Sequence, residues 1–108
     1  MFYLYEEQIL KAVKKIIERY KKNLYLVVIY GSFSRQQHMP DSDLDILLVG
    51  DEEIKKIILD ELAEIYVKYS IMISALFYSL KQYQMIKHHP FITTALREGI
   101  IIWEKRKI

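Results

Sequence analysis

The sequence predicts an α/β fold, a small mixed sheet of three to four strands packed by helices. Three β-favouring apolar runs support it, at residues 24–30, 43–49 and 71–78, and residues 100–103 are expected to add a short fourth strand. Helical segments alternate with these runs, as in α/β proteins. A helix bundle would have to break all three runs, so it is the weaker alternative. At 108 residues the chain is predicted to form one domain, residues 1–108.

The helices are predicted from apolar spacing and from residues typical of helix ends. The first covers residues 5–22, with one apolar face formed by Ile9, Val13, Ile16, Ile17 and Tyr20. The second begins at Asp51-Glu52-Glu53, where the helix dipole favours acids, and its inner face is expected to contain Ile54, Ile57, Ile58, Leu62, Ile65 and Tyr66. Ser79 should cap a short helix over residues 80–87, and Pro90 should begin a last helix that runs through Arg97 and ends before Gly99. Residues 33–40 are predicted as a short helix and a loop.

Composition excludes several classes of function. The chain has no cysteine, which excludes disulfide scaffolds, zinc ribbons and thiol chemistry. Its net charge of +2 excludes a strongly basic arm for nucleic acid as the defining feature, although residues 41–64 hold nine acids against two lysines. Neither a signal peptide nor a membrane-spanning run is present, so a soluble cytoplasmic protein without a membrane partner is expected.

A glycine and a serine follow the first predicted strand. Gly31 allows a tight turn and a close approach of a ligand to the backbone, and Ser32 could cap a helix or hold a phosphate oxygen. Taken alone, such a pair is usually just a turn.

Two aspartates begin the second predicted strand. Asp43 and Asp45 alternate with Leu44, so their side chains would lie on the same face of that strand. Two carboxylates so close repel each other unless a cation lies between them, and hard oxygen ligands of this kind suit Mg²⁺ together with a triphosphate. The alternative is that both aspartates lie in a solvated loop, which fits less well with the apolar run that follows.

These residues together resemble a known family. Gly31-Ser32, ten further residues and Asp43-Leu44-Asp45 are similar to the signature of minimal nucleotidyltransferases of the DNA polymerase beta-like superfamily. The flanking segments and the tail from Pro90-Phe91-Ile92 to Gly99 also resemble this family, so the similarity covers nearly the whole chain.

The resemblance implies a mechanism. Gly31 and Ser32 would bind the nucleotide phosphates with help from Arg35, and Asp43 and Asp45 would bind one or two Mg²⁺ ions. An acceptor hydroxyl would attack the α-phosphate of ATP or another nucleoside triphosphate and release pyrophosphate. Minimal members are commonly paired with a helical HEPN-type protein, in several cases as antitoxin and toxin, and transfer AMP to a tyrosine of that partner.

Two positions depart from the family pattern. Gln36 replaces a common glycine, and Ser74 stands where catalytic members carry a third carboxylate on the next strand. A missing general base typically costs about 10²–10⁴-fold in rate. The alternative function is therefore a weak or inactive nucleotidyltransferase fold that neutralises or scaffolds its partner by contact alone.

The remaining polar and aromatic residues suggest simpler roles. An EF-hand-like spacing of acids from Asp41 is rejected because Ile46 stands where that loop needs glycine. His88-His89 is expected to be a solvated loop rather than a metal site, and His38 a surface residue. Core packing is the simpler explanation for most of the nine tyrosines, such as Tyr20, Tyr25 and Tyr66, and solvation for the lysines of the first helix, so nucleic-acid binding is not favoured. The sequence leaves homo-oligomer formation open.

Overall fold

A computed structural model describes residues 2–31 and 44–106, with the side chains from residue 6 onward. The helices and strands follow one another along the chain in the predicted order. The elements are α1 (Phe2–Tyr20), β1 (Leu24–Tyr30), β2 (Leu44–Gly50), α2 (Lys55–Tyr69), β3 (Ile73–Tyr78), α3 (Leu80–Ile86), α4 (Pro90–Glu98) and β4 (Ile100–Glu104). Short 3₁₀ turns at Lys21–Asn23 and Glu52–Ile54 precede β1 and α2.

The four strands form a mixed sheet in the order β3-β2-β1-β4. Strand β1 pairs antiparallel with both β2 and β4, whereas β2 and β3 are parallel. A parallel pair needs a long crossover connection, and α2 supplies it. The structure therefore confirms the α/β class and the fourth strand.

Helices cover both faces of the sheet. On one face, α1 and α2 bury Val27, Ile46 and Leu48. On the other, α3 and α4 cover Val28, Leu47 and Val49. Because successive residues of a strand point to opposite faces, the continuous apolar runs of β1 and β2 each supply both halves of the core.

The predicted helix ends are confirmed on the α3 and α4 side. The Ser79 hydroxyl accepts a hydrogen bond from the Gln82 backbone N–H (3.1 Å), and the Gln82 side chain accepts one from the Ser79 N–H (2.8 Å). This reciprocal capping box satisfies two amide donors that the first turn of α3 would otherwise leave unpaired. Pro90 begins α4, and Gly99 directly follows it.

Asp51 has a different role from the predicted one. It precedes the 3₁₀ turn but makes no side-chain cap bond. Its carboxylate instead accepts hydrogen bonds from the Asn23 amide (2.9 Å) and the Tyr25 hydroxyl (3.1 Å), and its N–H donates to the Asn23 carbonyl (2.9 Å). The bond from Tyr25 raises the pKa of that hydroxyl above its ordinary value. Asp51 therefore joins the end of β2 to the start of β1.

Some predicted boundaries and faces were wrong. The structure begins α1 at Phe2 rather than residue 5, and β3 at Ile73 rather than residue 71. Ile57 and Tyr66 were placed on the inner face of α2, yet they are 49% and 44% exposed. The buried stripe uses Ile58, Leu62 and Ile65, and the two wrong residues flank it. The helix predicted over residues 33–40 lies outside the described residues.

No helix within residues 2–31 and 44–106 is long and apolar enough to cross a membrane.

Candidate active site

Gly31 and Asp45 meet where β1 ends and β2 begins. Gly31 has a φ of +79°, a left-handed conformation that residues with a Cβ rarely adopt. A Cβ added there would clash with the Asp45 Oδ2 atom and lie 3.3 Å from its Cγ atom. The Asp45 carboxylate therefore occupies the space above the Gly31 backbone that any other side chain would fill.

Asp45 lies in a row of polar side chains across three strands. In the strand register, Tyr30 of β1 is opposite Asp45 of β2, and Ser74 of β3 is on its other side. Alternation along the strands places all three on the sheet face that carries α3 and α4. Asp45 is half-buried and Ser74 is exposed, so this row lies at the edge of the core and is open to a ligand.

Tyr30 is fixed between the carboxylate and helix α4. Burial raises the pKa of its hydroxyl above the ordinary value, and the nearby Asp45 and Tyr78 add to this effect. Its ring packs edge to face against Phe91, with centroids 5.6 Å apart and ring planes at 86°. The hydroxyl therefore stays protonated at neutral pH and available as a hydrogen-bond donor.

Two of the five predicted site residues fall within the described part of the chain. The structure brings Gly31 and Asp45 together, while Ser32, Arg35 and Asp43 lie outside the described residues. In the β2–β3 register, Ser74 lies beside Asp45.

Within residues 2–31 and 44–106, no three His, Asp or Glu side chains cluster so as to hold a metal ion by themselves. The His89 Nδ1 atom accepts a hydrogen bond from the Phe91 N–H (3.1 Å) at the start of α4. His88 and His89 are exposed in the turn between α3 and α4, as the sequence predicted, and the bond from Phe91 makes His89 the N-cap of α4.

A separate groove of about 370 Å³ lies between α1 and α2, on the opposite face of the sheet. Lys11, Lys15 and Lys68 line it together with Glu61 and Glu64. Mixed charges of this kind agree with the predicted solvated face of the first helix.

The geometry limits how a phosphate group could meet these two residues. A half-buried turn lies against a carboxylate, and a carboxylate can meet phosphate oxygens only through a bound cation or a bridging proton. Two residues of this region were missed from the sequence, Tyr30 and Phe91. The position of Tyr30 directly before Gly31 was a usable signal, whereas nothing near Phe91 indicated that it would contact β1.

The chain is similar in sequence to known proteins. The family of polymerase beta nucleotidyltransferases matches residues 11–108. A candidate protein adenylyltransferase, MJ0604, from Methanocaldococcus jannaschii is 27% identical over 97 residues, which cover 86% of this chain and 96% of that protein.

Solved structures are similar in fold. A candidate nucleotidyltransferase from Sulfolobus solfataricus has a TM-score of 0.54 at 22% identity, covering 97% of this chain and 88% of that one. A toxin–antitoxin complex with AMP-PNP has a TM-score of 0.54 at 18% identity, with 89% of this chain and 73% of that one covered. A mutant of the toxin–antitoxin complex MntA-HpeT also scores 0.54, at 15% identity, with 94% and 74% covered.

Proposed function

Since the chain belongs to the polymerase beta nucleotidyltransferase family, we propose that it transfers AMP from ATP to a hydroxyl group of a partner protein. The contact between the Asp45 carboxylate and the Gly31 turn is the observation that carries this proposal. The similarity of the chain to a candidate protein adenylyltransferase supports a protein acceptor. Its structural neighbours in toxin–antitoxin complexes support an antitoxin-like role.

The proposed reaction forms one bond and breaks one. The acceptor oxygen, taken as that of a tyrosine, attacks the α-phosphorus, the bond to the bridging oxygen of the β-phosphate breaks, and pyrophosphate leaves. The hydroxyl proton passes to a base. Gly31, Ser32 and Arg35 would hold the phosphates and keep the α-phosphorus facing the acceptor.

The residues present fit a magnesium-dependent site. Asp45 supplies a half-buried carboxylate and Ser74 an adjacent hydroxyl, and oxygen ligands are those that Mg²⁺ prefers. Asp43 and Asp45 would hold one or two Mg²⁺ ions, which would offset the charge of the triphosphate.

The test uses ATP labelled at the α-phosphate, Mg²⁺ and candidate acceptors, beginning with a HEPN-type helical protein. We expect label on the acceptor and its loss in Asp45→Asn. Asp60→Asn is the matched control, because Asp60 lies on α2 in an exposed ion pair with Lys56 (3.0 Å). Labelling that persists in Asp45→Asn, or that is absent with every acceptor, contradicts the proposal.

A second candidate function rests on Ser74. No Asp or Glu occurs between Glu64 and Glu98, so β3 offers the site no carboxylate beside Asp45. A binding module that neutralises its partner by contact alone would tolerate this. If Asp45→Asn still neutralises a toxic partner fully, contact is sufficient and AMP transfer is unnecessary.

A further inference from the structure

Phe91 is an exposed aromatic side chain beside the candidate active site. Its side chain belongs to the large hydrophobic ones that the fold leaves open, at 44% exposure. Exposure of an apolar ring to water does not stabilise the fold. Single exposed apolar residues are nevertheless common on protein surfaces. Its surroundings distinguish it from the others.

Phe91 is held at its backbone and by one contact of its ring. Its backbone N–H donates to the His89 Nδ1 atom, and Pro90 fixes the first turn of α4. The ring meets Tyr30 edge to face, an arrangement favoured by the charge distribution of aromatic rings. Because the backbone is fixed and the ring already packs against Tyr30, part of the ordering that binding requires is present in the free protein.

Helix α4 is itself seated closely on β1. A Cβ at Gly99 would lie 2.7 Å from the Ile29 carbonyl oxygen and 2.8 Å from the Val28 Cγ1 atom, so glycine permits this approach. Within α4, Ile92 and Ala95 are buried. The position of Phe91 is thus determined by the packing of the helix against the strand that ends at Gly31.

Tyr30 lies between Phe91 and the Asp45 residue. The Phe91 ring contacts Tyr30, and Tyr30 is directly across the strand pair from Asp45. In a nucleotide, the base lies one sugar away from the α-phosphate. A nucleotide whose phosphates lie at Gly31 and Asp45 can therefore place its base against the open side of Phe91.

We propose that Phe91 is the stacking surface for the nucleotide base, with Tyr30 as its support, an assignment that rests on the proposed nucleotidyltransferase function. Stacking on an aromatic ring tolerates every base, because each base has a π-face. Phe91 therefore contributes affinity and orientation, and the choice of base is made by other groups.

The experiment compares binding of ATP and of inorganic tripolyphosphate, each with Mg²⁺, by calorimetry. Phe91→Ala should weaken ATP binding by about 5- to 150-fold, the range for stacking of one base. Tripolyphosphate has no base, so its affinity should stay unchanged. Phe91→Trp should retain ATP affinity, while Phe91→Leu, which keeps the apolar bulk for folding, should lose it. Val67→Ala is the control, because Val67 is 76% exposed on α2.

Four results would overturn the assignment. If Phe91→Ala binds ATP as tightly as the unchanged protein, Phe91 does not stack on the base. The proposal of AMP transfer is not affected by that result. A parallel loss for ATP and tripolyphosphate means that the phosphate site was disturbed. Unchanged ATP affinity with loss of transfer to the protein acceptor assigns Phe91 to the acceptor. An unchanged protein that binds neither compound contradicts the proposed function as well.

Discussion

The Gly31→Ala substitution tests whether the turn after β1 and the Asp45 carboxylate form one unit. Alanine at a φ of +79° is strained, and a left-handed residue other than glycine costs about 1–2 kcal/mol. For a domain of this length, that loss lowers the melting temperature by roughly 4–16 °C. The added methyl group also enters the space of the Asp45 carboxylate, with Cγ only 3.3 Å away.

The clash has a separate effect on activity. Asp45 is only half-buried, so the added methyl group can displace its carboxylate. A reacting group displaced by about 1 Å loses on the order of 10²-fold in rate. We therefore expect Gly31→Ala to lose about 100-fold in AMP transfer, measured well below its melting temperature where the chain is folded.

Gly50→Ala provides the matched control at the opposite end of the sheet. A Cβ there would lie 2.9 Å from the Asn23 carbonyl oxygen and 3.1 Å from the Phe77 Cζ atom, so this variant should also lose stability. Because Gly50 is remote from Asp45 along β2, transfer per folded molecule should be unchanged. If Gly31→Ala retains full transfer per folded molecule, or melts with the unchanged protein, the coupling of Gly31 to Asp45 is refuted.

Three further predictions concern Ser74 beside Asp45, the half-buried Tyr30 and the core. Ser74→Asp places a carboxylate beside Asp45 and should raise the rate of transfer at least about tenfold, toward the 10²–10⁴-fold of a positioned base; an unchanged rate in the labelled-ATP assay contradicts this. The pKa of Tyr30 is raised above 10, so the unfolded chain releases the hydroxyl proton at a lower pH than the folded one. The free energy of unfolding should therefore fall above about pH 10. Urea titrations should show a shallower fall with pH in Tyr30→Phe. Ile58→Ala should cost about 2–5 kcal/mol in urea denaturation because Ile58 is fully buried, against less than about 0.5 kcal/mol for the exposed Val67→Ala; equal losses would show that α2 does not pack as described.

Local patterns predicted the strands and helix ends well. The runs of β1 and β2 are continuous because both sheet faces are covered, and Ser79, Pro90 and Gly99 mark helix ends through their own backbone chemistry. Ile57 and Tyr66 were misplaced because an apolar side chain at the border of a helical stripe is buried only if a neighbour reaches it. The periodicity of one helix does not show which other segment packs against it.

The candidate site was partly predictable for the same reason. The residue types and spacing of Gly31 and Asp45 indicated both as site residues. The β1–β2 pairing brings them together. The contact between Tyr30 and Phe91 depends on how α4 is seated against β1. Residue type alone gives no sign of such a contact between distant segments.

The order of strands in the sheet has a consequence for folding kinetics. The β1–β2 pair joins Tyr30 and Asp45, which are 15 residues apart, whereas the β1–β4 pair joins Ile29 and Ile100, 71 residues apart. Loop-closure entropy rises by about 0.6 kcal/mol per doubling of length, so closing the longer loop costs roughly 1.3 kcal/mol more. We expect β1–β2 contacts to show high φ-values and β1–β4 contacts low ones. The carboxylate would then be positioned in the folding transition state, and the aromatic pair would form only as α4 and β4 dock.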